Sequence, residues 1–138
     1  MAKSDRGPLH VLVVEDDPHI AQMLAIVLAD EGYEVDVACN GRLALEKIAA
    51  QDYDLIFSDL RMPELDGVGL YRALERRQPD LLRRLIVITG TSVDPDYESF
   101  LAATHVPFLE KPFNLAALEA LARQVLSASQ QAVPFPRG

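Results

Sequence analysis

Residues 54–63 read Asp-Leu-Ile-Phe-Ser-Asp-Leu-Arg-Met-Pro, and no other segment says more about the architecture. The segment begins with a short run rich in apolar residues, which is typical of a strand buried on both faces of a parallel sheet. It predicts a strand over Asp54–Ser58, and Asp59 follows directly. An acidic side chain is therefore expected at the carboxyl end of a buried strand.

Four more apolar runs of similar length lie before and after this segment. They cover His10–Val14, Tyr33–Val37, Leu85–Thr89 and Val106–Leu109. The segments between them have a helical period, as in the apolar stripe within residues 20–28. Five repeats of strand and helix predict an α/β protein with a single doubly wound, five-stranded parallel sheet.

Capping residues mark where the predicted helices begin. A side chain that can cap a helix precedes each helical segment: Asp17, Asn40, Asp66, Asp94 and Asn114. Proline follows Asp17 and Asp94 at the first helical position, where its missing N–H costs nothing. These signals support the alternation of strands and helices.

The composition excludes several classes of function. The 138 residues fit one domain, and the net charge of −8 disfavours binding to nucleic acid. The one basic cluster, Arg76, Arg77, Arg83 and Arg84, has no aromatic residues among its members and is interpreted as a solvated helix end and loop. The single cysteine excludes an internal disulfide. No secretory signal or membrane span is predicted, so we expect a soluble, cytoplasmic protein.

The ends of the predicted strands carry the candidate chemistry. The carboxyl ends of parallel strands meet at one edge of the sheet, which would bring together Glu15, Asp16, Asp59, Thr89 and Lys111. Two carboxylates about 4 Å apart repel by about 4 kcal/mol at an effective dielectric of 20, and a hard divalent cation such as Mg²⁺ relieves this repulsion. An aspartate in such a site can attack phosphorus and carry the phosphoryl group covalently.

Four motifs resemble those of response-regulator receiver domains. They are Val13-Val14-Glu15-Asp16-Asp17, Ser58-Asp59-Leu60-Arg61-Met62-Pro63 with Asp66-Gly67, Ile88-Thr89-Gly90, and Lys111-Pro112-Phe113. The resemblance covers residues 9–128, which leaves an N-terminal extension at 1–8 and a C-terminal tail at 129–138. It implies a flavodoxin-like (βα)5 fold with strand order 2-1-3-4-5.

The resemblance also implies a role for each matching residue. Asp59 would be the phosphoacceptor. Mg²⁺ (or Mn²⁺) would be bound by Asp16, by Asp59, by Glu15 through water, and by the backbone carbonyl of Arg61. Thr89 and Lys111 would contact the phosphoryl group, Thr89 as the switch hydroxyl. Phe108 would be the aromatic switch residue, and its other interpretation, an ordinary core ring on the fifth strand, does not exclude this role.

The implied partners are a histidine kinase or a histidine phosphotransfer protein. A homodimer or a target protein would bind through the face of the fourth helix, fifth strand and fifth helix. The segments around Thr89 and Phe108–Lys111 are similar to those of receivers attached to hybrid sensor histidine kinases. No nucleic-acid or membrane partner is expected, and no turnover of a separate substrate.

Three alternatives use the same fold class or chemistry. A haloacid-dehalogenase-type phosphatase needs a second aspartate two residues after the nucleophile, where this chain has Arg61. A flavin carrier needs a hydroxyl-rich phosphate loop after the first strand, where Glu15 and the two aspartates after it would repel a phosphate. A phosphate-independent interaction module with the same fold remains open.

Overall fold

The computed structural model describes residues 7–90 and 95–132, with side chains through residue 128. The elements in chain order are β1 (His10–Val14), α1 (Pro18–Asp30), β2 (Glu34–Ala38), α2 (Gly41–Ala50), β3 (Leu55–Asp59), α3 (Gly67–Arg77), a 3₁₀ helix (Pro79–Arg84), β4 (Leu85–Thr89), α4 (Pro95–Thr104), β5 (Phe108–Glu110) and α5 (Leu115–Ala132). The strands are all parallel in the order β2-β1-β3-β4-β5. This confirms the predicted fold class and strand order.

The core consists of two apolar layers, one on each face of the sheet. Alternate strand residues point to opposite faces, so Leu12 belongs to the layer that includes residues of α2, α3 and α4, whereas Val13 belongs to the layer that includes residues of α1 and α5. The three central strands β1, β3 and β4 are buried on both faces, while β2 at the edge is only partly covered. The continuous apolar runs in the sequence reflect this double burial.

Four of the five predicted helix caps are formed. The side chains of Asp17, Asn40, Asp66 and Asn114 accept hydrogen bonds from the backbone N–H groups of the first turns at 2.8–2.9 Å. The fifth, Asp94, lies outside the described residues. Because each cap directly follows a strand or a short loop, it fixes where the chain turns back over the sheet.

Some boundaries differ from the sequence-based expectation. β2 and β3 each begin one residue later than predicted, and β5 covers Phe108–Glu110 rather than Val106–Leu109. Pro107 has no N–H for the ladder, although its carbonyl accepts from the Val87 amide at 3.0 Å. α5 runs to Ala132, so the first residues of the tail predicted at 129–138 are helical. The 3₁₀ helix was not predicted.

Polar side chains at the amino end of the sheet are paired with one another. The buried Tyr53 hydroxyl donates to Asp36 Oδ2 at 2.7 Å and accepts from Gln51 Nε2 at 2.9 Å. Burial, together with the hydrogen bond to Asp36, raises the pKa of Tyr53 to about 12. Arg84 Nη1 donates to the Tyr53 carbonyl at 2.8 Å. One guanidinium of the basic cluster therefore has a structural partner.

No helix in the described part of the chain is both long enough and apolar enough to span a membrane.

Candidate metal and phosphoacceptor site

Three polar residues are buried where strands end at the carboxyl edge of the sheet. Asp59 ends β3 and is 6% exposed, Thr89 ends β4 and is 2% exposed, and Glu15 directly follows β1 and is 2% exposed. β3 lies between β1 and β4 in the sheet, so these three chain positions are neighbours. The predicted convergence of Glu15, Asp59 and Thr89 is therefore present in the structure.

Lys111 joins this group from the loop after β5. Its Nζ lies 3.2 Å from Asp59 Oδ2 and 3.5 Å from Glu15 Oε1, and its backbone N–H donates to the Thr89 carbonyl at 2.8 Å. Burial alone would lower the pKa of Lys111, but the carboxylates of Asp59 and Glu15 outweigh it and raise this pKa. The ammonium therefore stays charged at neutral pH.

Glu15 is the least satisfied group of the site. Its Oε2 accepts from the Asp17 amide at 3.1 Å, but its buried Oε1 accepts no hydrogen bond. Burial raises the pKa of Glu15 to about 7; the Asp17 hydrogen bond opposes this rise, Asp59 adds to it, and Lys111 also opposes it. This oxygen has the Lys111 ammonium as an ion-pair partner at 3.5 Å but no hydrogen-bond donor, and a buried oxygen in this state can accept a further cation.

The carboxylates are close enough to share such a cation. One oxygen from each of Glu15, Asp16 and Asp59 lies within 4.8 Å of the other two. Asp16 is exposed, which leaves the group open to solvent on one side. Mg²⁺ takes one or two carboxylates and keeps several waters, and Mn²⁺ shares its preference for oxygen. The donor set fits such an ion.

The loop after Asp59 is held by α2. The Gly41 N–H donates to the Leu65 carbonyl at 3.0 Å, and Arg42 Nε lies 3.0 Å from Glu64 Oε1. A Cβ on Gly41 would come within 2.5 Å of that carbonyl, so the contact requires glycine. Glu64 itself has φ = +68°, an uncommon conformation for glutamate. Sequence reasoning missed this contact because it joins residues 24 apart in the chain.

Arg61 contacts the acceptor through its backbone and α4 through its side chain. Its N–H lies 3.4 Å from Asp59 Oδ1, while its guanidinium carbon is 5.4 Å from the centre of the Tyr97 ring. The Tyr97 hydroxyl donates to Asp66 Oδ2 at 3.0 Å. Sequence reasoning did not identify Tyr97, since nothing in its neighbouring residues predicts a contact with the acceptor loop.

The two predicted switch residues differ in exposure. The Thr89 hydroxyl is buried, and its one hydrogen bond within residues 7–90 and 95–132 is a long contact of 3.3 Å with the Gly90 carbonyl. Phe108 is 47% exposed on β5, so its alternative interpretation as a core ring is wrong. A ring with this exposure is accessible to another protein that binds at the surface.

A shallow groove of about 560 Å³ adjoins the carboxylates on the side of α1 and β2. Glu15, Asp16 and the exposed Cys39 are part of its lining, together with Val37 from β2 and Ala25 from α1. The groove connects the acidic site to a largely apolar surface.

A five-stranded parallel sheet of order 2-1-3-4-5 with this acidic site defines a receiver domain. Residues 11–123 match the family model for the response regulator receiver domain, and the chain belongs to this family. Over 127 residues it is 33% identical to the transcriptional regulatory protein GlrR of Escherichia coli, covering 92% of this chain and 28% of GlrR. The chain spans about a quarter to a half of the length of the curated relatives it matches.

Solved structures agree with this assignment. The receiver domain of a histidine kinase from Syntrophus aciditrophicus is 33% identical, with a TM-score of 0.80 over 92% of this chain and 96% of that one. The receiver domain of the sensor histidine kinase PA1611 from Pseudomonas aeruginosa is 28% identical, with a TM-score of 0.78 over 88% of this chain and 99% of that one. That structure contains a magnesium ion in its active-site cleft. Kinase-associated receivers are thus among the similar structures, as the sequence predicted. Because the chain belongs to the receiver family, it is not assigned to the phosphatase or flavin-carrier families considered above.

Proposed function

We propose that this receiver domain accepts a phosphoryl group on Asp59 in a Mg²⁺-dependent reaction. The observation that carries the proposal is the buried Asp59 carboxylate, with Lys111 Nζ 3.2 Å from one oxygen and the carboxylates of Glu15 and Asp16 beside it. The donor would be a phosphohistidine on a histidine kinase or on a phosphotransfer protein. The similarity to receivers of histidine kinases supports this class of donor.

The transfer exchanges one bond for another. An Asp59 oxygen attacks phosphorus, the P–O bond forms, and the P–N bond breaks with its electron pair leaving on the imidazole nitrogen. Lys111 pairs with the charge that spreads over the transferring oxygens. A bound Mg²⁺, held by Asp16 and Asp59, by Glu15 through water and by the Arg61 carbonyl, would supply further neutralisation.

The product changes the charge of the site. An acyl phosphate at Asp59 replaces a single negative charge by about two. The Thr89 hydroxyl, which lies 3.3 Å from the Gly90 carbonyl, would turn to donate to a phosphoryl oxygen. Movement of Thr89 would let the exposed Phe108 ring move inward and alter the face of α4, β5 and α5. A target protein or a second copy of the chain would bind at that face.

Acetyl phosphate tests the acceptor directly. With Mg²⁺ present, intact-mass analysis should detect one phosphoryl adduct on the parent, and Asp59→Asn or removal of the metal should abolish it. Asp52→Asn is a matched control, because Asp52 is an exposed aspartate at the opposite end of β3 and should leave the adduct unchanged. No adduct on the parent would favour the phosphate-independent interaction module instead.

A further inference from the structure

Tyr97 of α4 contacts both ends of the loop that follows the acceptor. At the beginning of the loop, the Arg61 guanidinium lies 5.4 Å from the ring centre, within the range of a cation–π contact. At its end, the Tyr97 hydroxyl donates to Asp66 Oδ2 at 3.0 Å, while Asp66 Oδ1 accepts from Gly69 N–H and caps α3. One aromatic side chain thus ties the loop to a different helix.

Arg61 links this contact to the acceptor site, because its backbone lies beside Asp59. Its N–H is 3.4 Å from Asp59 Oδ1, and its carbonyl belongs to the proposed set of metal ligands. A side chain anchored at its far end restricts the backbone rotation of its own residue. A change at Tyr97 can therefore reach the Arg61 backbone through the Arg61 side chain.

We propose that Tyr97 is a positioning residue for the metal site and that it acts through Arg61. The inference rests on the proposed function and extends it, since it makes α4 part of the structure that sets metal affinity. Metal binding must in turn stabilise the Arg61–Tyr97 contact, because coupling between two equilibria is reciprocal.

A matched control exists in the same region of the molecule. The Arg72 guanidinium lies over two rings, 5.6 Å from the centre of Tyr71 and 5.7 Å from that of Phe100. This contact also joins α3 to α4 but does not involve the acceptor loop. Arg72→Gln therefore removes an equivalent aromatic contact without touching the proposed path.

The experiment is a Mg²⁺ titration followed by backbone amide NMR shifts, because the chain has no tryptophan to report binding. A cation–π contact at an exposed position corresponds to about a two- to fivefold change in an equilibrium constant. Tyr97→Leu should raise the Mg²⁺ Kd by about that factor, and Tyr97→Phe, which keeps the ring, should raise it less. Arg61→Gln should raise Kd similarly, and adding Tyr97→Leu to Arg61→Gln should have no further effect.

The double variant separates positioning from general packing. If Tyr97→Leu raises Kd by the same factor with and without Arg61→Gln, or if Arg72→Gln raises it equally, the proposal is wrong. If Tyr97→Leu does not fold, Tyr97→Met, which keeps a long apolar side chain but has no aromatic face, is combined with Arg61→Gln and tests the same coupling. A parent that binds no Mg²⁺ refutes the proposed function as well, whereas a parent that binds with purely additive variants refutes only this inference.

Discussion

At the amino end of the sheet, the Tyr53 hydroxyl donates to Asp36 and accepts from Gln51, whereas at the carboxyl end the buried Glu15 Oε1 accepts no hydrogen bond. Each end has a buried residue with a polar group, Tyr53 at one and Glu15 at the other. The Tyr53 hydroxyl thus both donates and accepts, whereas Glu15 Oε1 has the Lys111 ammonium 3.5 Å away but no hydrogen-bond donor in the described part of the chain. A buried carboxylate oxygen without a hydrogen bond, rather than burial of polar groups as such, therefore distinguishes the carboxyl end of the sheet from the amino end.

The two ends of the sheet should differ most in their contributions to the pH dependence of stability. Burial raises the pKa of Glu15 from 4.5 to about 7. Between these values the folded protein holds a proton that the unfolded chain has released. This group should therefore make the free energy of unfolding fall as pH rises through that window, by up to about 1.4 kcal/mol per pH unit in metal-free protein.

Chemical denaturation in EDTA at stepped pH values measures this dependence. Glu15→Gln should remove that part of the slope. Tyr53→Phe should keep the parent slope, because the pKa of Tyr53 is about 12 and lies far outside the window. If Glu15→Gln and the parent have the same slope, Glu15 does not take up a proton on folding.

Added Mg²⁺ should stabilise the protein by binding the carboxylates at the carboxyl end of the sheet. At about 100 times its Kd, the ion should add about 2.7 kcal/mol to the free energy of unfolding. For a domain of this length that corresponds to a Tm increase of about 5–15 °C. Thermal melts at constant ionic strength measure it. Asp59→Asn should gain less than the parent, and Tyr53→Phe should gain as much; equal gains in all three would contradict a metal site at Asp59.

Removing a polar group from the amino end should destabilise the protein. Tyr53→Phe leaves Asp36 without its 2.7 Å donor, and a hydrogen bond to a charged group contributes about 1.5–3 kcal/mol. We expect a loss in the lower part of that range, because Gln51 Nε2 still donates to Asp36 at 2.6 Å. Urea denaturation measures the change, and an unchanged midpoint would mean that this cluster does not stabilise the fold.

Replacing a polar group at the carboxyl end should instead stabilise the metal-free protein. Asp59→Asn keeps the side-chain shape and removes one of the crowded negative charges, so metal-free protein should become more stable. The gain stays below the value of about 4 kcal/mol for an uncompensated pair, because Lys111 already offsets part of the repulsion. A metal-free variant that melts below the parent would indicate that the Lys111–Asp59 ion pair outweighs the repulsion.

The sequence predicted the fold and the chemical groups of the site because both depend on local pattern. Apolar runs located the strands within one or two residues, and side-chain caps such as Asn40 and Asp66 located the helix starts. Strand ends then placed Glu15, Asp59 and Thr89 at one edge. Each of these steps uses only neighbouring residues and the geometry of a parallel sheet.

Contacts between distant segments were not predictable in this way. Tyr97 reaches Asp66 across 31 residues, and Tyr53 reaches Asp36 across 17. Nothing in the local pattern around these tyrosines favours a polar partner over an apolar one. The Phe108 position was recognised, but its exposure depends on how β5 and the helices beside it are arranged. Three-dimensional coordinates were needed for all three.

Cys39 offers an experimental advantage that follows from its place at the rim of the groove beside Glu15 and Asp16. It is the only thiol in the chain, and it is exposed. A maleimide dye or a nitroxide would therefore attach at one known point without any engineered cysteine. Emission or paramagnetic broadening from that point would report on the acidic pocket, and a paramagnetic Mn²⁺ ion there would quench the probe in a distance-dependent way.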